Sequence, residues 1–388
     1  MPLWLPVLLG FLSAVGPVST DMYLPAFPAI EASFRLPEGS AQITLATWFA
    51  GLAVGQITQG TLSDRFGRRW PLLVGTVVYT LGTAGCALAP SLASLSACRI
   101  VAAFGGSAGM VIPRAVVRDL AEGHAAARLF SRLTLVMGAA PILAPTLGGA
   151  VLGVASWRMI FWFGFAYGVL CSLCVALWLP DTLPVAARMR LGLVALLRRY
   201  VAIARERSFI THAGIGGFTM FGMFAYLGGS PPVFIELFRV PPALYGVLFG
   251  TCAAGYIAAS QLNPLLLPRF GASVVLRTAV LGLLLATAVL MLNAAMRWGG
   301  LAGVFLPIAL AMFCNGFIMP NAVVGALSRH AAHAGSASAL MGTLQFILGA
   351  ASGTVIGWLT DGTARPMGAL MLLGALGAGV ADRARPRS

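Results

Sequence analysis

Two ionisable side chains, Asp21 and Arg99, stand inside long apolar stretches of the chain. Holding a charge at the centre of a bilayer costs about 2.5–3.5 kcal/mol even on lenient scales, so such groups are kept for a purpose. A guanidinium cannot shed its proton and needs a carboxylate or carbonyls around it, whereas a carboxyl can take up a proton and release it. Measured from the same end of their apolar stretches, Asp21 lies about six residues (~9 Å) deep and Arg99 about eight residues (~12 Å). The matching depths predict an Asp21–Arg99 pair facing a central cavity and available for proton coupling. A purely structural pair clamping two helices is the alternative.

A second concentration of charge is Gly60-Thr61-Leu62-Ser63-Asp64-Arg65-Phe66-Gly67-Arg68-Arg69, whose ends run straight back into apolar sequence. It reads as a tight polar hairpin. Gly60 and Gly67 permit a sharp reversal, Asp64 suits a helix N-terminus, and Arg65, Arg68 and Arg69 suit a cytoplasmic membrane surface.

The elements that position these residues must lie in lipid. Of 388 residues, 59% are hydrophobic and 9% charged, against about 25% charged in soluble domains. With a mean hydropathy of +0.90, too little polar surface remains to clothe a water-soluble globule. The formal charge of +14 comes from arginine alone and sits in short connectors, not on a solvated face, which argues against a nucleic-acid partner. Cys86, Cys98, Cys171, Cys174, Cys252 and Cys314 all fall in apolar runs, where thiols act as small hydrophobes. Neither a disulfide framework nor a metal site follows, His330 and His333 read as a solvated connector, and no cofactor is implied.

Windows of about 20 residues predict an all-α polytopic membrane protein with twelve spans. The first six lie near 3–27, 41–61, 71–89, 92–113, 129–152 and 158–179. The first lacks the charged n-region of a secretory signal and is too long for one. The other six lie near 209–229, 243–263, 274–293, 299–320, 335–358 and 366–381, the last being short for a crossing. Two six-helix bundles, 1–180 and 208–388, flank a charged linker, 181–207, whose stretch from Leu191 to Ile203 has the spacing of an amphipathic surface helix. Arginines crowd alternate connectors, so both termini are expected in the cytoplasm. Arg65-Phe66-Gly67 recurs as Arg269-Phe270-Gly271, as parallel repeats require, although Pro268 replaces Asp64.

The hairpin resembles the loop signature of the major facilitator superfamily. Ser19-Thr20-Asp21-Met22-Tyr23-Leu24-Pro25, Trp157-Arg158-Met159-Ile160-Phe161, Phe224-Ala225-Tyr226-Leu227-Gly228-Gly229-Ser230-Pro231 and the stretch from Ala334 to Phe346 look like the bicyclomycin and chloramphenicol resistance exporters, over nearly the whole chain. The resemblance implies the major facilitator fold and drug:proton antiport across a bacterial inner membrane, with Asp21 carrying the proton and Arg99 tuning it. It also implies a cytoplasmic gate in which Asp64 meets a helix N-terminus near Gly335 and Ser336, its arginines bind carboxylates or lipid phosphates, and Asp119 completes the latch. The fifth span resembles the antiporter motif through Pro141, Pro145, Gly148 and Gly149, a kinked rocking interface for which plain packing is the alternative.

Met22, Phe221, Phe224, Tyr226, Asn315 and Gln345 mix polarizable, aromatic and amide groups near mid-span and are expected to line a cavity for amphipathic, drug-like molecules. Scattered histidines do not make an enzyme, and pore loops or charge rings that would mark a channel do not occur. Export of a small metabolite such as an amino acid or sugar is the alternative function. The expected partners are the bilayer, the drug and protons, and two six-helix halves make a monomer sufficient.

Overall fold

The computed structural model describes residues 4–120, 143–184, 188, 193–330 and 334–386, and every element among them is a helix. The first span is interrupted. It enters as α1 (Trp4–Ser13), continues as α2 (Val15–Thr20), tightens through a 3₁₀ turn at Leu24–Ala26 and re-forms as α3 (Phe27–Phe34). Pro17, Pro25 and Pro28 each lack the N–H that a continuous ladder needs. The run covers 31 residues, longer than expected, and Asp21 lies in its irregular middle.

The first half continues with α4 (Gln42–Phe66), α5 (Arg69–Leu88), α6 (Leu92–Leu120), α7 (Leu143–Val154) and α8 (Arg158–Trp178). The start of the fifth span, with Pro141, lies outside the described residues. The linker carries α9 (Leu193–Ala204), packed against α10 (Arg207–Pro231) and α13 (Ala334–Leu359). The seventh span runs on from α10 through a wide π-helical turn at Pro232–Leu237. α11 (Pro242–Met296) breaks at Gly271, with φ 76° and ψ 152°, and supplies the eighth and ninth spans. α12 (Gly300–Leu327), α13 and α14 (Arg365–Arg383) complete the twelve. The 19 residues of α14 reach ~28 Å, enough for the hydrocarbon core.

The expected ten-residue hairpin is corrected: α4 stays helical through Phe66, Gly60 lies inside it, and only Gly67 and Arg68 turn the chain. Nothing in Gly60-Thr61-Leu62-Ser63 breaks a helix once its hydroxyls bond back to the preceding turn, as Thr61 does to Ile57 and Ser63 to Gly60.

The halves meet along α4 and α13, which run antiparallel. Gly39 lies against Gly357, Ala46 against Gly353 and Gln56 against Gly342, while the Thr343 hydroxyl donates to the Ala53 carbonyl at 3.2 Å. A second seam joins α7 to α11: a side chain at Gly149 would strike the Pro242 carbonyl, and one at Gly246 would strike the Thr146 backbone. Small residues let backbones approach this closely where no hydrophobic force separates helix from lipid. The α7–α11 seam lies at the end carrying the arginine-poor connectors, and the α4–α13 seam runs from that end to just past mid-span.

Candidate functional site

Arg99, only 2% exposed, is held without an acid among the described residues. Its Nη1 donates to the Ser19 carbonyl at 2.8 Å and its Nε to the Thr44 carbonyl at 3.4 Å. The guanidinium carbon sits 4.5 Å from the Tyr23 ring centre, 4.4 Å from Trp48 and 6.0 Å from Phe161. Such aromatic faces stabilise a desolvated cation by about 2 kcal/mol or more. Its Nη2 and the nearby Trp48 Nε1 have no hydrogen-bond partner among the described residues.

The predicted Asp21–Arg99 ion pair is therefore corrected: the depths agree, but the faces do not. Ser19 and Tyr23, four residues apart, share the face turned to the first half, where the Ser19 hydroxyl meets the Tyr79 hydroxyl at 2.7 Å. Asp21 lies two residues from each and points to the other side, as i and i+2 positions must. There, 7% exposed, it lies within electrostatic reach of Tyr226 and Tyr245 of the second half. Among the described residues its carboxylate has no ion-pair or hydrogen-bond partner. Sequence reasoning missed the cage around Arg99. Tyr23 and Trp48 stand at the right depth in the sequence, but neither carries a charge that would mark it as the partner of a guanidinium.

The expected cavity residues divide. Met22, Phe224 and Tyr226 are buried: Phe224 stacks on Phe49 of the opposite half at 3.7 Å, Tyr226 stacks on Phe249 of its own half at 5.5 Å within electrostatic reach of Asp21, and the Met22 carbonyl is pressed against Gly148 of α7. Phe221 is half-buried on α10, and Gln345 faces Gly216 of the same helix. Asn315 is different. It turns into a small cavity within the second half, shared with Thr219, Thr287, Met312 and Met371, and so lies behind the seam and not on it.

At the arginine-rich end the signature residues form one network. Arg68, only 2% exposed, donates to Asp64 at 2.5 Å, to Asp119 of α6 at 2.7 and 3.3 Å, and to the Ser63 hydroxyl at 3.0 Å. Burial works against its charge, yet the two carboxylates hold its pKa above the ordinary arginine value. Asp181, at the start of the linker, accepts the Arg68 backbone N–H at 2.9 Å and meets Arg188 at 2.8 Å. Arg69 donates to the Ala176 carbonyl at 2.5 Å, whereas Arg65 is exposed and lies over Phe66. The bond expected from Asp64 to the start of α13 is absent among the described residues, because the carboxylate is turned to Arg68. Asp181 was missed, although an acid just after the sixth span emerges at the same membrane end as Arg68.

Where the linker enters the second half, Glu206 caps α10 by accepting the Ser208 and Phe209 N–H groups at 3.0 and 2.6 Å. Partial burial opposes its charge, but those donors, with Arg329 and His330, hold its carboxyl below the usual carboxylate value. His330, expected in a solvated connector, instead packs edge-on against Phe209 with its Nε2 3.7 Å from Glu206. His333 lies outside the described residues.

A model of the Major Facilitator Superfamily matches residues 9–354. The chain is 36% identical to the uncharacterised MFS-type transporter YdgK of Bacillus subtilis, covering 96% of this chain and 92% of that one. It is 31% identical to the bicyclomycin resistance protein homologue of Haemophilus influenzae, covering 92% and 90%. It is 29% identical to multidrug resistance protein D of Escherichia coli, covering 88% and 85%. Among solved structures, a bacterial homologue of the human lysosomal transporter Spinster, inward-facing and occupied, superposes with a TM-score of 0.75 at 16% identity over 98% of this chain and 95% of that one, a likeness of fold. Twelve spans in two halves, the signature network around Arg68 and this kinship identify the chain as a transporter of the major facilitator superfamily, in the branch of the bicyclomycin and chloramphenicol resistance proteins.

Proposed function

We propose that this transporter exports small amphipathic, drug-like molecules across a bacterial inner membrane in exchange for protons, by alternating access. Asp21 carries the reading. It is an acid inside a span, buried where the halves meet, with no cation against it among the described residues and two phenols of the opposite half within electrostatic reach. A carboxyl so enclosed trades protons with water only when the halves part, which ties proton traffic to the conformational cycle. Arg99, caged behind the same segment, supplies the fixed positive background against which Asp21 changes charge.

Residues 1–180 and 208–388 are the rocking bodies and 181–207 the tether. The positive-inside rule assigns the arginine-rich end and both termini to the cytoplasm. In that orientation the α7–α11 seam, with Pro145, Gly148 and Gly149, closes the outer end, and Pro141 belongs to the same kinked element. Asp64 serves the inner gate. Following the α4–α13 register inward from Gln56 and Gly342 carries Asp64 to the level of Ala334, the first residue of α13. A carboxylate at that helix N-terminus is stabilised by about 0.3–1 kcal/mol when exposed, a contact weak enough for a reversible latch.

Relatives named for bicyclomycin and multidrug resistance support a drug as the cargo. The test is purified protein in liposomes with a trapped pH dye, challenged with chloramphenicol or bicyclomycin under a proton gradient. Drug-dependent proton release is expected. Drug flux that leaves the internal pH untouched would remove the coupling, and proton movement with amino acids or sugars alone would favour metabolite export.

A further inference from the structure

Three phenylalanine rings meet where α4 of the first half touches α10 and α13 of the second. Phe49 and Phe224 stack face to face, with centroids 3.7 Å apart and planes 19° from parallel. Phe346 lies 6.1 Å from one and 6.3 Å from the other, tilted by only 12° and 14°. Near-equal distances from both members of a stack put the third ring beside the pair and not above it. The three rings thus share an orientation across the contact between the halves. Gly349 makes this possible, since any side chain there would run into the Phe224 ring.

A pair that meets across a contact that opens must exchange partners in each cycle. When α4 leaves α10, two flat apolar faces lose each other and confront the transport path as parallel walls. Water is a poor replacement for that contact, and an aliphatic group covers a flat face incompletely. A planar ring restores it. One residue before Phe346, Gln345 keeps an unpartnered Nε2 donor against Gly216. We infer that Phe49, Phe224 and Phe346 form a substrate platform taking one planar aromatic ring between the halves, with Gln345 donating to an acceptor on the same neutral molecule. This rests on the exporter reading and narrows its substrate class to ring-bearing molecules.

Two probes separate the class. Chloramphenicol carries a nitrophenyl ring, planar and rich in acceptors, and bicyclomycin has no aromatic ring. Affinity of each for the purified full-length protein is measured by calorimetry in wild type, Phe49→Leu, Phe224→Leu and Phe49→Trp. An aromatic pair is worth about 0.5–1.5 kcal/mol beyond its burial, so each leucine variant should cut the chloramphenicol-to-bicyclomycin affinity ratio by roughly two- to twelvefold. Phe49→Trp, which keeps a flat face, should restore the ratio. Equal losses for both drugs, or an unchanged ratio, would show the rings to be gate packing only and overturn the platform while leaving export intact. Binding of neither drug by wild type would overturn the exporter reading and the platform together.

Discussion

The Arg-Phe-Gly turn occurs once in each half, and its two copies share residues and backbone but not surroundings. Gly67 has φ 88° and ψ 173°, and Gly271 has φ 76° and ψ 152°. Around Gly67, Asp181 presses so close that a Cβ would meet its carboxylate at 2.0 Å, while Gly271 has open space. Beside Gly67 stand Asp64 and Arg68, and in the same places beside Gly271 stand Pro268 and Ala272. Reversal of the chain therefore requires only the glycine. The ionic network is an addition, and it binds α4, α6 and the start of the linker on one side of the molecule alone.

The largest contrast should come from the arginines. Removing one member of a buried pair costs about 3–5 kcal/mol, and with Asp64 35% exposed the lower figure, about 3 kcal/mol, is expected for Arg68→Ala. Arg65→Ala and its counterpart in the second turn, Arg269→Ala, both at exposed sites, should stay within about 0.5 kcal/mol. Denaturant unfolding of the purified variants checks all three, and equal losses would deny the network any special weight.

Next come the glycines. A side chain in this backbone region costs about 1–3 kcal/mol at either turn. Gly67→Ala must also displace Asp181, so it should lose more than Gly271→Ala, and the excess should vanish when Asp181→Ala is added. An excess that survives in the double variant would place its cause elsewhere.

The ends of the linker extend the comparison, since Asp181 anchors the first half and Glu206 the second. Loss of a capping side chain costs about 1 kcal/mol, expected here for Glu206→Ala. The Glu206 carboxyl is held below its ordinary value, so the folded state binds that proton more weakly than the unfolded chain does. Its stabilisation is complete above the unfolded pKa of about 4.3 and is lost as pH falls through the lower folded value. Wild type and variant should thus converge in acid, and a constant difference across pH would refute the charge-based cap.

The smallest effect sharpens the rule. Pro268→Asp restores the acid to the second turn without an arginine at 272, and it should leave stability within about 0.5 kcal/mol once the helical cost of the proline is allowed for. A gain as large as the Arg68 loss would credit the acid, not the arginine.

Much of this was legible in residue types and spacing, because lipid forces apolar spans, alternate connectors collect arginine, and a repeated Arg-Phe-Gly marks equivalent turns. The site was legible in depth and not in direction. Asp21 and Arg99 stand at one level, yet a two-residue step along the interrupted first span turns the acid to the opposite half. Asn315 illustrates the same loss: mid-span position suggested the seam, but the side chain faces the interior of its own bundle. The turn is shorter than the polarity of its residues implies, because Thr61 and Ser63 satisfy themselves within α4. Asp181 and the rings around Arg99 went unseen because partners from distant spans leave no local pattern.

Proton coupling through Asp21 is tested by Asp21→Asn in liposomes, comparing uphill export driven by a proton gradient with drug counterflow at equal pH. Counterflow should persist, since the amide mimics a neutral carboxyl, while gradient-driven export should be lost. Undiminished gradient-driven export by Asp21→Asn would contradict coupling through Asp21.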